Sequence, residues 1–159
     1  MTTLQQVAQE LQARLIGSWQ GRARLWFEPG DPTYDEKVEG DVAAIAAGRW
    51  ARHDYSTVID GRLEHGSALI GFVAPKRIWQ IAWVDSFHTS SGGVMLSEGQ
   101  TTEIDVAVHA LGSYEAGDGP RWGWRTEYEP TDDGLVVRHF NVSPAGEESL
   151  AVQFDYERR

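Results

Sequence analysis

The sequence predicts a mainly β protein: one antiparallel up-and-down β-barrel of about ten strands, with one short N-terminal helix. Three observations predict it. One amphipathic stretch opens the chain, and everything after Trp19 reads as short alternating segments. Turn signals separate those segments at intervals of roughly 8–12 residues. Between the two regimes lies Gly17-Ser18-Trp19-Gln20-Gly21, where the helix hands over to the first strand. The 159 residues show no internal repeat, low-complexity tract or linker, so they read as a single domain over 1–159. The helix covers about 3–16 and the barrel about 18–158.

The helix follows from Leu4, Val7, Leu11 and Leu15, which form one apolar stripe. Thr2 or Thr3 can cap its start and Gly17 can end it. A helix this short is marginal alone and must dock. The candidate strands are 18–28, 40–48, 49–59, 63–73, 77–86, 93–98, 103–114, 121–131, 135–143 and 148–157, with 29–39 a polar connection. Asp60-Gly61, Ala74-Pro75-Lys76, Ser91-Gly92-Gly93, Gly99-Gln100, Gly117-Asp118-Gly119-Pro120, Asp133-Gly134 and Pro144-Ala145-Gly146 punctuate them.

Alternation identifies the buried faces. Trp122, Trp124, Thr126 and Tyr128 share one face of 121–131, opposite Arg121, Arg125, Glu127 and Glu129. Ile104, Val106, Val108 and Ala110 share a face, as do Leu150, Val152, Phe154 and Tyr156. Segment 77–86 is apolar on both faces, so its outer side calls for a cover, for which the N-terminal helix is a candidate.

A net charge of -10 repels phosphates and anionic lipid, which argues against nucleic-acid and membrane partners and favours solubility. The absence of cysteine removes disulfides, thiolate metal sites and a cysteine nucleophile, and fits a reducing cytoplasm. No signal peptide and no run of about 18 apolar residues is present, so a cytoplasmic protein is expected. Oligomeric state is not readable from these features.

Gly17-Ser18-Trp19 after a short helix resembles the Gly-x-Trp signature that opens the first strand of the calycins, among them lipocalins and fatty-acid-binding proteins. The resemblance implies a lipocalin-like barrel closed at one end by a late basic residue over the tryptophan. Arg158 is the favoured match and Arg138 the alternative. The chain also resembles the bacterial domain of unknown function 1579 family in three places: Leu15 to Gly21, Gly48-Arg49-Trp50, and Trp83-Val84-Asp85-Ser86. That likeness implies the same barrel and brings no established activity.

The interior of such a barrel is the functional candidate. The expected occupant is a small hydrophobic or amphipathic molecule, partly apolar and with an anionic group, held by Arg138, Tyr128, Trp83, Trp122, Trp124 and Phe154. The alternative is that the aromatics merely fill a core. A three-residue loop Asp132-Asp133-Gly134 pairs Tyr128 with Arg138 and places Val136, Phe140 and Val142 inside; a two-residue Asp133-Gly134 turn pairs Tyr128 with His139. The first is preferred, and by analogy with fatty-acid-binding proteins it turns Arg138 toward a carboxylate. Its rival is a structural Arg138 paired with an acidic neighbour.

No catalytic residue and no cofactor is assigned. Asp85, Ser86, His88 and Ser90 lack a nucleophile elbow, and read as a turn-capping Asp85 with a loop-exposed His88. A two-residue Asp60-Gly61 turn sets His53 opposite Ala68 and His65 opposite Ser56, on different faces, and no metal-binding spacing occurs. Haem on one histidine, His139 under the two-residue register, is the alternative occupant, since nitrobindin-like barrels are similar in outline.

Overall fold

A computed structural model describes residues 2–100 and 106–159. Helix α1 (Leu4–Leu15) leads into ten strands: β1 (Gly17–Leu25), β2 (Tyr34–Ile45), β3 (Trp50–Ile59), β4 (Arg62–Val73), β5 (Ile78–Asp85), β6 (Met95–Gln100), β7 (Val108–Tyr114), β8 (Trp122–Pro130), β9 (Gly134–Val142) and β10 (Glu148–Arg158). Each strand pairs antiparallel with its sequence neighbours, and β1 pairs with β10, which closes the barrel. Closure removes the free edges that β1 and β10 would otherwise present.

Helix α1 is started by a capping box, in which the Thr3 hydroxyl accepts from Gln6 N–H and the Gln6 side chain accepts from Thr3 N–H. It seats on one end of the barrel and does not cover the outer face of β5. Gln12 donates to Gly48 O in the β2–β3 turn, and Arg14 donates to Pro130 O and Thr131 O at the β8–β9 turn. Leu11 and Leu15 are buried there, each contributing about 1.5–3 kcal/mol. The outer sides of β4 to β7 stay uncovered, with Leu69, Val84, Leu96 and Leu111 exposed.

Several boundaries differ from expectation for identifiable reasons. Strand β2 begins at Tyr34, inside the expected connection, because Val38, Gly40 and Val42 continue one buried face while Asp35, Glu39 and Asp41 stand outside. The turn between β2 and β3 is made by Ala46, Ala47 and Gly48, all at positive φ. Two alanines in a left-handed conformation carry no turn signal in a sequence. Strand β7 starts at Val108; Val106, expected inside, is exposed, and Ile104 lies outside the described residues. Helix α1 ends with an extended Ile16, so Gly17 is no helix cap but the first residue of β1.

The β8–β9 register corrects the expected one. Pro130 faces Leu135, Tyr128 faces Val137 and Glu127 faces Arg138. The connection is Thr131 to Asp133, with Asp132 and Asp133 at the tip and Thr131 N–H donating to Gly134 O at 2.9 Å. Gly134 is not left-handed; it is close to β10, where an added Cβ would lie 2.3 Å from Tyr156 O. One step of register turns the whole strand over. Leu135, Val137 and His139 therefore point inward, while Val136, Arg138 and Phe140 point outward.

Candidate functional site

The interior is divided in two. In the half nearer α1 it is packed. Trp19 is buried, its Nε1–H donates to Leu15 O at 2.9 Å, and the Arg158 guanidinium lies over its ring at 4.4 Å. Gly17 makes that approach feasible: its φ is +153°, and an added Cβ would lie 2.4 Å from Arg158 Nη1. Arg158 also donates to Ile16 O at 3.1 Å.

Deeper in, His53 has no exposed surface and joins two tyrosines: its Nδ1 lies 2.9 Å from Tyr128 OH and its Nε2 3.0 Å from Tyr156 OH. Burial lowers the imidazole pKa to about 4, against the pull of Asp54 and Asp41, so the ring is neutral and has one donor and one acceptor to share. Gly40 leaves room for this bond, since a Cβ there would meet Tyr156 OH at 2.6 Å. Phe154 packs edge-on against Tyr55 and Tyr156. As the β3–β4 register requires, His53 faces Ala68 and His65 faces Ser56.

The opposite end is open. A cavity of about 690 Å³ lies there, walled by Trp26, Phe27, Trp83, Tyr114 and Trp124, with His88, Asn141 and Arg121 among its polar groups. Its floor is an aromatic cluster. Trp83 and Trp124 lie parallel, 4° apart in plane and 5.5 Å between centroids, and His139 stacks on both at 5.0 and 5.3 Å. Trp83 Nε1–H donates to Tyr55 OH at 3.0 Å. Trp83 and His88 also border a second void of about 10 Å³, close to the volume of one water probe, shared with His139, Tyr55 and Phe154.

Two imidazoles face these spaces in opposite senses. His139 Nδ1 accepts from Trp124 Nε1–H at 3.1 Å and lies 2.9 Å from Thr126 Oγ1. An indole nitrogen only donates, so the neutral ring carries its proton on Nε2. Burial, with help from the charges of His88 and His53, lowers its pKa to about 3. His88 is the reverse case. Its Nδ1 lies 2.7 Å from Asp85 Oδ2, and a carboxylate only accepts, so Nδ1 bears a proton and, in the neutral ring, Nε2 carries the lone pair.

Of the residues expected to hold a ligand, Trp83 and Trp124 line the cavity. Tyr128 and Phe154 belong to the packed half and Trp122 is half-buried opposite Tyr114. Arg138 is outside the barrel, bonded to Glu129 Oε2 at 2.8 Å and Glu127 Oε2 at 3.5 Å. It faces away from the interior, paired with these acidic neighbours. His88, expected exposed on a loop, turns into the cavity. Trp26, Tyr114 and Asn141 join it from strand ends that sequence periodicity does not bring together. The Asp85–His88 spacing was the one available signal, and the fold of the 86–94 loop was needed to aim it.

His139 does not fit a haem ligand in this arrangement. Its Nδ1 lone pair is taken by Trp124 and its other nitrogen bears the proton, so no lone pair is offered to iron. Among the described residues no group of three or more His, Asp or Glu side chains could hold a metal ion.

The family model for a protein of unknown function, DUF1579, matches residues 5–158. The chain belongs to this family. DUF1579 membership accounts for the Leu15 to Gly21 and Trp83 to Ser86 segments lying in one continuous match. No curated protein matches the chain. Among solved structures, the crystal structure of Rv2717c from M. tuberculosis is similar in fold, with a TM-score of 0.66 and 15% identity over 96% of this chain and 97% of that one. In this DUF1579 chain, no helix among the described residues is long and apolar enough to cross a membrane.

Proposed function

We propose that this protein binds a small, partly apolar molecule in the cavity at the open end of its barrel. One observation carries the reading: the interior is filled by the His53–Tyr128–Tyr156 cluster on one side, while the other keeps a cavity of about 690 Å³ in which aromatic walls and polar side chains converge. That combination is typical of a ligand site. An anionic group on the ligand would meet Arg121 and His88, the cationic or protonatable side chains lining the cavity, in the role first expected of Arg138.

Native mass spectrometry of the protein as purified, followed by tryptophan-fluorescence titration with a fatty acid, a planar aromatic anion and haem, tests this reading. A co-purified mass or saturable quenching that survives Arg138→Ala supports it. No bound mass and no response to any of the three probes would leave a barrel with an interaction role only.

A further inference from the structure

We propose that His88 is a general base in this cavity, and that the ligand is a flat aromatic molecule bearing an acidic hydroxyl whose proton passes to His88 on binding. The inference rests on the cavity reading above and names the ligand class for that site.

The geometry of the pair supports it. Asp85 is nearly buried, with 5% of its side chain exposed. One carboxylate oxygen accepts from Thr89 N–H at 2.6 Å and the other from His88 Nδ1–H at 2.7 Å. The Asp85–Thr89 bonds are those of a capped turn and would form without a histidine. They do not explain why the imidazole turns inward, tilted against Trp83 at 5.7 Å and Trp124 at 5.5 Å with Phe87 edge-on at 4.8 Å. Those contacts fix the ring and leave Nε2 without a protein partner among the described residues.

On proton transfer the ligand O–H bond breaks and a bond from His88 Nε2 to hydrogen forms. The ligand oxyanion then faces an imidazolium whose charge is balanced by Asp85 behind it and by the electron-rich faces of the two indoles. His139 does not compete for the proton, because Trp124 Nε1–H occupies its Nδ1 lone pair and burial disfavours its protonated form. The other titratable groups bordering this space are Tyr55 on β3, Glu64 and His65 on β4, Tyr114 at the end of β7, and Glu115 and Arg121 between β7 and β8. A carboxylic acid would need no base, being ionised already at neutral pH, whereas an aromatic hydroxyl is still protonated there, titrating near about 10 on a plain phenol and closer to the histidine range only where the ring withdraws electrons. The parallel indoles suit a flat ring.

The test uses 4-nitrophenol, whose phenolate absorbs in the visible, with the intact protein at a pH below the phenol's own pKa. Equilibrium dialysis reads binding and absorbance reads ionisation of the bound molecule. The expected result is about a tenfold rise in the phenolate-to-phenol ratio on binding, equivalent to one pKa unit. His88→Gln should still bind but abolish that rise, and Asp85→Asn should reduce it, each with an unchanged circular dichroism spectrum. Binding without phenolate enrichment, or enrichment that persists in His88→Gln, overturns the base. Failure to bind nitrophenol while another probe still quenches tryptophan overturns the hydroxyl ligand and spares the cavity reading. Failure of every probe removes both.

Discussion

The Arg158 guanidinium lies 4.4 Å from the Trp19 ring centre, in register across the β1–β10 seam that closes the barrel. The contact depends on a residue that touches neither by chance: Gly17, with φ at +153° and no side chain to obstruct Nη1. Gly17→Ala should therefore displace Arg158 and strain the backbone, lowering unfolding free energy by about 1–3 kcal/mol. Urea denaturation followed by tryptophan fluorescence measures it. Arg158→Ala should cost a comparable part of the same contact, and the double variant less than the sum.

Gly40 has the equivalent role at the buried histidine. A methyl group there would lie 2.6 Å from Tyr156 OH and 3.0 Å from His53 Nε2. Gly40→Ala should destabilise by about 1–3 kcal/mol, as overpacking does. Chemical denaturation at pH 7 reads the loss.

Stability should fall as pH drops from 6.5 toward 5. His53 and His139 have folded-state pKa values of about 4 and about 3, below the usual 6.5. In that window the unfolded chain binds protons that the folded chain does not, so each histidine removes up to about 1.4 kcal/mol per pH unit. The contribution is fully present above pH 6.5 and is lost as pH falls through the folded values. Urea midpoints at pH 7, 6 and 5 check the slope, which His53→Gln should make shallower.

Arg138→Ala should change stability by less than about 1 kcal/mol, because its bonds to Glu127 and Glu129 are partly solvated. It should leave ligand affinity untouched. A loss of binding in this variant, read by the same fluorescence titration, would contradict its placement outside the barrel.

The barrel was legible because alternation is a local property of each strand. Trp124 and Tyr128 on one face, or Phe154 and Tyr156 on another, mark an inside without knowledge of their partners. The Asp60-Gly61 turn was legible too, since it has the chemistry of a two-residue hairpin, with Asp60 and Gly61 both at positive φ. The β8–β9 turn was not. Asp133-Gly134 has the same letters, yet Gly134 serves the close approach of β10, a contact from a distant part of the chain. Misplacing that turn by one residue exchanged Arg138 for His139 inside the barrel. The site was hidden for a related reason: His88 reaches the cavity only through the 86–94 loop, whose course is set by tertiary packing, while Asn141 joins it from the end of β9.

The most direct test of the cavity is an indole N–H chemical-shift titration of the seven tryptophans with a planar aromatic ligand. The account predicts saturable shifts at Trp26, Trp83 and Trp124, which wall the cavity, and none at Trp19, which is packed at the α1 end. Shifts confined to Trp19, or none at Trp83 and Trp124 with a ligand shown to bind, would contradict it.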